Sequence, residues 1–334
     1  MNGSNQTLTI ESKYETEGRH NRPSSASRRN RDRSARNTFL IVTLLPFLLI
    51  LLVAFALILK TWPILKAHSL IRLIFGLTWK PDYGLFGFWP FITGTVWVTV
   101  VGVLLSVPAC LLVSLYLSEY AHSSTRSIAK PVLDLLAAIP PVVYGVWGLL
   151  SIVPFVEKVL APFSKKWFNA IPILAVNQPT GFSILSGGIV LAVMIAPLII
   201  SVVYEILATV PNDLRHASLA VGATKWQTIR RVVLPQVLPG MVAGTVLGAS
   251  RALGETIAVL MVVGNVAKAP TSIFDPAYPL PALIANNYGE MLSMPLYDSA
   301  LLFGALILLL VVVFFNIVSQ IILRGSKWSV YYNE

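Results

Sequence analysis

Six apolar runs in this chain, at residues 39–59, 89–117, 132–156, 183–207, 237–264 and 297–323, are each long enough to cross a bilayer as a helix, which takes about 20 residues. In hydrocarbon each backbone amide has to be satisfied without water, and the helix does so within a single segment. The expected fold class is therefore an all-α integral membrane protein with six transmembrane helices. Of the 334 residues 55% are hydrophobic and 12% are charged, about half the charged share of an ordinary soluble domain, which excludes that class. The single cysteine, Cys110, lies inside an apolar run, so an internal disulfide framework and a cysteine metal cluster are excluded as well. His20, His68, His122 and His216 show no spacing suited to a metal site.

Residues 1–37 are rich in Ser, Asn and Arg and cannot bury a core, so a disordered basic tail is expected there, with a short C-terminal tail at 326–334. The first run is too long for the core of a signal peptide and no small-residue cleavage site comes after it, so it is expected to stay in the membrane. Lys and Arg outnumber Asp and Glu by 25 to 15. In a membrane protein such an excess concentrates on the cytoplasmic side. With the N-terminus inside, the inner segments carry sixteen Lys and Arg, eight of them before Thr38, and the outer segments carry eight, including Lys158, Lys165 and Lys166. Both termini are therefore expected in the cytoplasm, and the positive charge calls for membrane lipid and no nucleic acid.

The inner loop at 208–236 reads as two short helices. Pro211 suits a first helical turn, and Leu214, Ala217, Ser218 and Val221 recur at three and four residues. Gly222 suits a helix end because it accepts positive φ without penalty, and Thr224 with Gln227 forms a possible capping box opening a second helix toward Pro235. Pro108, Pro140, Pro141 and Pro197 fall inside the apolar runs, where they either kink helices that line a cavity or reflect the ordinary proline content of membrane helices.

His216-Ala217-Ser218, a gap of three, Gly222-Ala223, and then Val232-Val233-Leu234-Pro235 resemble the EAA loop of ABC-importer permeases, with His216 where that pattern has Glu and Ser218 where it has a second Ala. The stretches 86–95, 136–145 and 251–259, together with Met194-Ile195-Ala196-Pro197, are similar to the PstC-type permease of the phosphate ABC importer. The resemblance runs from about residue 40 to 325. It implies a type I ABC importer permease fold in a prokaryotic cell membrane, spanning 38–325. It also implies four kinds of partner: a second related permease of PstA type, a dimer of PstB-type ATP-binding subunits, an external PstS-type phosphate-binding protein, and inorganic phosphate as substrate. His216, Ala217, Gly222, Ala223, Leu234 and Pro235 would carry the ATPase contact. The chain has no phosphate loop of the GxxxxGK[ST] kind, so it is expected to bind no cofactor and to be no enzyme, with ATP and Mg belonging to the partner.

Arg251 and Glu255 stand in the fifth run, and four residues apart on a helix they would share a face and pair. Ionisable groups at that depth are costly and are functional by default, with a self-neutralising packing pair as the alternative. Arg suits phosphate because its planar fork gives two parallel hydrogen bonds to one anion, so these two residues are the candidates for the translocation pathway. A permease for sulfate or molybdate remains open, as does a secondary transporter or channel. The sparse charges supply no catalytic cluster for a membrane enzyme.

Overall fold

The structure is a computed structural model that describes residues 25–289, 294 and 296–331. Its elements in chain order are α1 (Ser25–Ala67), α2 (Leu70–Phe75), β1 (Trp79–Lys80), β2 (Leu85–Phe86), α3 (Trp89–Tyr120), α4 (Ser123–Ala138), α5 (Pro141–Trp167), α6 (Ile184–Ala208), α7 (Asn212–Ala220), α8 (Lys225–Leu253), α9 (Ile257–Leu260), α10 (Leu280–Asn287) and α11 (Tyr297–Tyr331). Six of these described helices, α1, α3, α5, α6, α8 and α11, are long and apolar enough to cross a membrane. The all-α class with six spans therefore holds.

The described residues divide into two compact units, one ending at Ala56 and the other beginning at Leu57. In the first, large side chains from Phe39 to Phe55 are exposed all round the helix, a surface that only lipid or another apolar helix can cover. The helix is already formed at Ser25, and α11 continues to Tyr331, so the tails expected through residue 37 and from residue 326 are partly helical. Residues 1–24 and 332–334 lie outside the described ones.

Two spans depart from the hydropathy boundaries. The third does not begin at Val132, which sits in α4, a helix without a buried residue. Pro140 and Pro141 have no N–H to donate, and a residue before proline is driven to extended backbone. Ile139 and Pro140 accordingly adopt ψ of 128° and 139°, and α5 starts afresh at Pro141. It then runs past Val156 to Trp167, so Lys158, Lys165 and Lys166 lie on a helix and not in a loop. Pro154 and Pro162 do not break it, because each is preceded by a π turn. Val153 N–H bonds the Gly148 carbonyl and Ala161 N–H the Val156 carbonyl, widening the backbone just ahead of the ring. The same device precedes Pro235, where Leu234 N–H bonds the Ile229 carbonyl. The fifth span is accordingly Lys225–Leu253 and not 237–264. Pro108 and Pro197 do sit inside α3 and α6.

The main core lies where α3 packs along α6, with Val98, Val190, Leu191, Ile195, Ile199 and Val203 buried. A Cβ at Gly188 would lie 2.4 Å from Val101 Cγ1, so only glycine allows this approach. A second cluster gathers Ile64, Phe86, Phe88, Phe91, Leu280, Tyr297 and Phe303. Trp79 meets Phe86, Phe88 and Phe91 edge-on at 5.0–5.6 Å, which holds the small β1–β2 hairpin, a feature hydropathy does not suggest. Asp275 joins the loop before α6 to the loop before α10. Its burial alone would raise its pKa, but hydrogen bonds from the Thr271 backbone and side chain, the Asn177 side chain and the Ser272 N–H outweigh that and hold it below the usual carboxylate range.

Candidate functional site

The segment from Val210 to Pro235 is built by local rules. Pro211 is the residue before α7 and not inside its first turn; its ψ of 138° directs the chain into the helix. The end of α7 is a Schellman motif. Ala223 N–H bonds the Ser218 carbonyl and Gly222 N–H the Leu219 carbonyl, with Gly222 at φ +86°. Thr224 then forms both bonds of a capping box with Gln227, 3.3 Å from the Gln227 N–H to Thr224 Oγ1 and 2.8 Å from the Thr224 N–H to Gln227 Oε1. The helix opened by this box is not a second short one, because the π turn at Ile229–Val233 carries it into α8 as one rod.

Successive residues of α7 are about 100° apart, so Asn212, Arg215, His216 and Leu219 share one face, and Leu214, Ala217 and Val221 take the other. Among the described residues nothing covers the second face. Leu214 and Trp226 are exposed, and Val221 is 85% exposed. Of the residues expected to mediate coupling, His216, Ala217, Gly222 and Pro235 are exposed and Ala223 and Leu234 are half-buried. His216 points away from Ala217, onto the inner face of the helix.

That inner face holds a feature that motif and spacing do not reveal. Arg215 Nη2 lies 2.8 Å from Glu119 Oε1, with side chains 17% and 6% exposed. Glu119 belongs to the π turn ending α3, so the pair ties α7 to the second span. Arg215 also donates to the Val210 carbonyl at 2.6 Å, the Leu207 carbonyl at 3.1 Å and Asn212 Oδ1 at 3.2 Å. A desolvated pair survives only with such additional bonds. Ser218 Oγ meets Thr228 Oγ1 at 2.9 Å and closes α7 onto the base of α8. Glu205, by contrast, pairs with Lys130 at 3.4 Å with both side chains more than half exposed.

The expected pairing of Arg251 with Glu255 does not occur. Arg251 is in the last turn of α8 and not at mid-span, and the helix ends at Leu253. Glu255 lies in the break before α9, where its Oε1 accepts the Ala258 N–H at 3.3 Å. A four-residue spacing brings side chains together only while the helix continues, and at Gly254 it stops. Among the described residues Arg251 pairs with no carboxylate, so the self-neutralising alternative fails. Tyr144 of α5 donates its hydroxyl to the Leu136 carbonyl at 2.8 Å across the Pro140 break. An added Cβ at Gly145 would meet Met261 Sδ at 2.6 Å and Ala258 Cα at 3.2 Å, so α5 and α9 touch. The start of α5 thus touches α9, and Arg251 stands in the last turn of α8, just before the break that leads to α9. Broken helices at membrane depth are tolerated where they are buried in protein or line a cavity.

A family profile described as binding-protein-dependent transport system inner membrane component matches residues 110–327. The chain is 33% identical to the phosphate transport system permease protein PstC of Xylella fastidiosa over 85% of this chain and 88% of that one. It is 34% identical to the PstC of Mesorhizobium japonicum over 78% and 80%, and 38% identical to the probable ABC transporter permease protein YqgH of Bacillus subtilis over 66% and 67%. In fold it resembles a chain of a bacterial alginate ABC transporter solved in complex with an alginate pentasaccharide-bound periplasmic protein, with a TM-score of 0.56 at 19% identity over 88% of this chain and 98% of that one. With six spans, an EAA-like segment between the fourth and fifth, and relatives that match it along most of their length, the chain belongs to the binding-protein-dependent transport system inner membrane components, among the PstC-type permeases.

Proposed function

We propose that this chain is a transmembrane subunit of an ATP-driven phosphate importer in a prokaryotic cell membrane. A single observation carries the reading: Arg251, a guanidinium that pairs with no carboxylate among the described residues, stands where α8 breaks off before α9, in a chain whose relatives are named phosphate permeases. A guanidinium fork grips a tetrahedral oxyanion in two places, and without a counter-charge that fork is open to one.

Energy enters through a partner. The partners are a PstA-type second permease, two PstB-type ATPase copies that bind ATP and Mg, and a PstS-type external phosphate-binding protein. The uncovered apolar side chains Leu214, Val221 and Trp226 form the contact for the ATPase, and on this reading α7 and both termini lie in the cytoplasm, as the Lys and Arg distribution also suggests. Uptake of labelled phosphate, sulfate and molybdate by cells lacking the chain, with and without its restoration, tests the reading. Restored sulfate or molybdate uptake without phosphate uptake would overturn the substrate.

Gly222→Val is expected to lower ATP-driven uptake while the spans stay folded. Nothing lies within 4 Å of an added Cβ, so the cost is the left-handed backbone alone, about 1–2 kcal/mol, confined to the α7–α8 turn. Full uptake with normal assembly would remove the turn from coupling. Deleting residues 2–24 is expected to leave uptake intact, because Arg28, Arg29, Arg31, Arg33 and Arg36 remain beside the first span to hold it inside. Correct insertion with lost uptake in that deletion would show a transport role for the tail.

A further inference from the structure

On the inner face of α7 lies a cleft of about 370 Å³. Four basic side chains line it: Arg126 from α4, Arg215 and His216 from α7, and Lys225 from the start of α8. The single carboxylate among its lining residues is Glu119. Arg215 already occupies that carboxylate at 2.8 Å, so it is not free to pair with the other basic groups. Arg126 donates through Nη2 to the Ser118 carbonyl at 2.6 Å, yet its Nε–H is buried without an acceptor among the described residues. Buried donors are almost always satisfied, and one that is not calls for an unseen acceptor. Lys225 Nζ stands 4.8 Å from the Tyr120 ring centroid and pairs with no carboxylate among the described residues. Glu205, in an adjoining crevice that shares Arg126 and Tyr204 with the cleft, is held by Lys130.

We infer that this cleft is a binding site for a phosphoryl-bearing anion, with Arg126 and Lys225 as its principal ligands and His216 and Tyr204 as further donors. A planar fork beside a flexible ammonium is the pairing that suits a tetrahedral oxyanion. The cleft is large enough for a lipid headgroup as well as for free phosphate. Bound there, the anion bridges α4, α7 and the base of α8, on the face of α7 opposite to Leu214 and Val221. It also gives His216 a role that does not need contact with the ATPase. The effect on transport rests on the coupling role proposed above; the binding itself does not.

The test uses the purified full complex carrying Arg251→Ala, so that the pathway cation contributes nothing. One arm measures retention of [32P]phosphate by equilibrium dialysis. The other measures retention of phosphatidylglycerol against phosphatidylcholine by native mass spectrometry. Phosphate or the anionic lipid is expected to be retained at one site per subunit, and Arg126→Gln to weaken retention roughly tenfold through loss of a charge-assisted bond. Lys225→Gln, an exposed position whose change does not threaten folding, is expected to weaken it several-fold. Retention of neither ligand, or equal retention by the Arg126→Gln/Lys225→Gln variant, overturns the site. Should Arg126→Gln fail to assemble, Lys225→Gln alone decides. Binding lost in these variants with Arg251 restored and uptake unaltered supports the site and overturns its link to the loop.

Discussion

Glu119→Ala is expected to destabilise the subunit by about 3 kcal/mol, at the lower end of what removing one partner of a buried ion pair costs. The substitution strands the Arg215 guanidinium in a site where its side chain is 17% exposed. The Val210 and Leu207 carbonyls and Asn212 still accept from it, which keeps the penalty from reaching the ~5 kcal/mol upper end. A lowered unfolding midpoint of the detergent-solubilised complex is the measurement. The double variant Glu119→Leu with Arg215→Met removes both charges and should recover most of that stability, since apolar groups of similar volume often replace buried pairs at no loss. It should not recover uptake. The pair sets where α7 stands relative to the end of α3, and an apolar contact does not reproduce a fixed 2.8 Å anchor. A Glu119→Ala subunit as stable as the unaltered one would show that the pair anchors nothing, and full uptake by the double variant would show that the anchor is not used in coupling.

Arg251→Ala is expected to reduce phosphate uptake roughly a hundredfold, the equivalent of two charge-assisted hydrogen bonds at about 1.5 kcal/mol each. Because Arg251 has no carboxylate partner among the described residues, its removal leaves no buried charge behind, and the complex should assemble normally. Arg251→Lys keeps the charge but not the fork, and should fall between the two. Glu255→Gln acts elsewhere. It exchanges the carboxylate that accepts the Ala258 N–H for a weaker acceptor, so it should loosen the start of α9 and reduce uptake less. Had the two residues formed a pair, the double variant would show strong coupling. The broken helix instead makes the two losses additive within about 0.5 kcal/mol when uptake ratios are converted to free energies. Unchanged uptake in an assembled Arg251→Ala complex would remove this residue from the pathway.

What the sequence determined by itself is whatever depends on neighbours within about five residues. The number of spans comes from apolar runs of membrane length, because the bilayer acts on each segment separately. The turn between α7 and α8 comes from Gly222, Thr224 and Gln227, because Schellman and capping-box bonds join residues three to five apart. The limits of the third and fifth spans were misplaced because hydropathy weighs side chains and not backbone donors. It passes over the missing N–H groups of Pro140 and Pro141, and it does not foresee the π turns that carry the backbone past Pro154, Pro162 and Pro235.

The tertiary structure alone decided the pairing of charges. Glu119 and Arg215 are 96 positions apart and meet only because α3 and α6 pack along their lengths and bring the ends of both beside α7. Arg126 comes to that cleft from a third helix, α4. Arg251 and Glu255, four positions apart, do not pair because the helix between them ends. Spacing along a chain fixes distance only within an unbroken element, and where an element breaks, or where two elements meet, the packing of the whole fold sets which charges face each other.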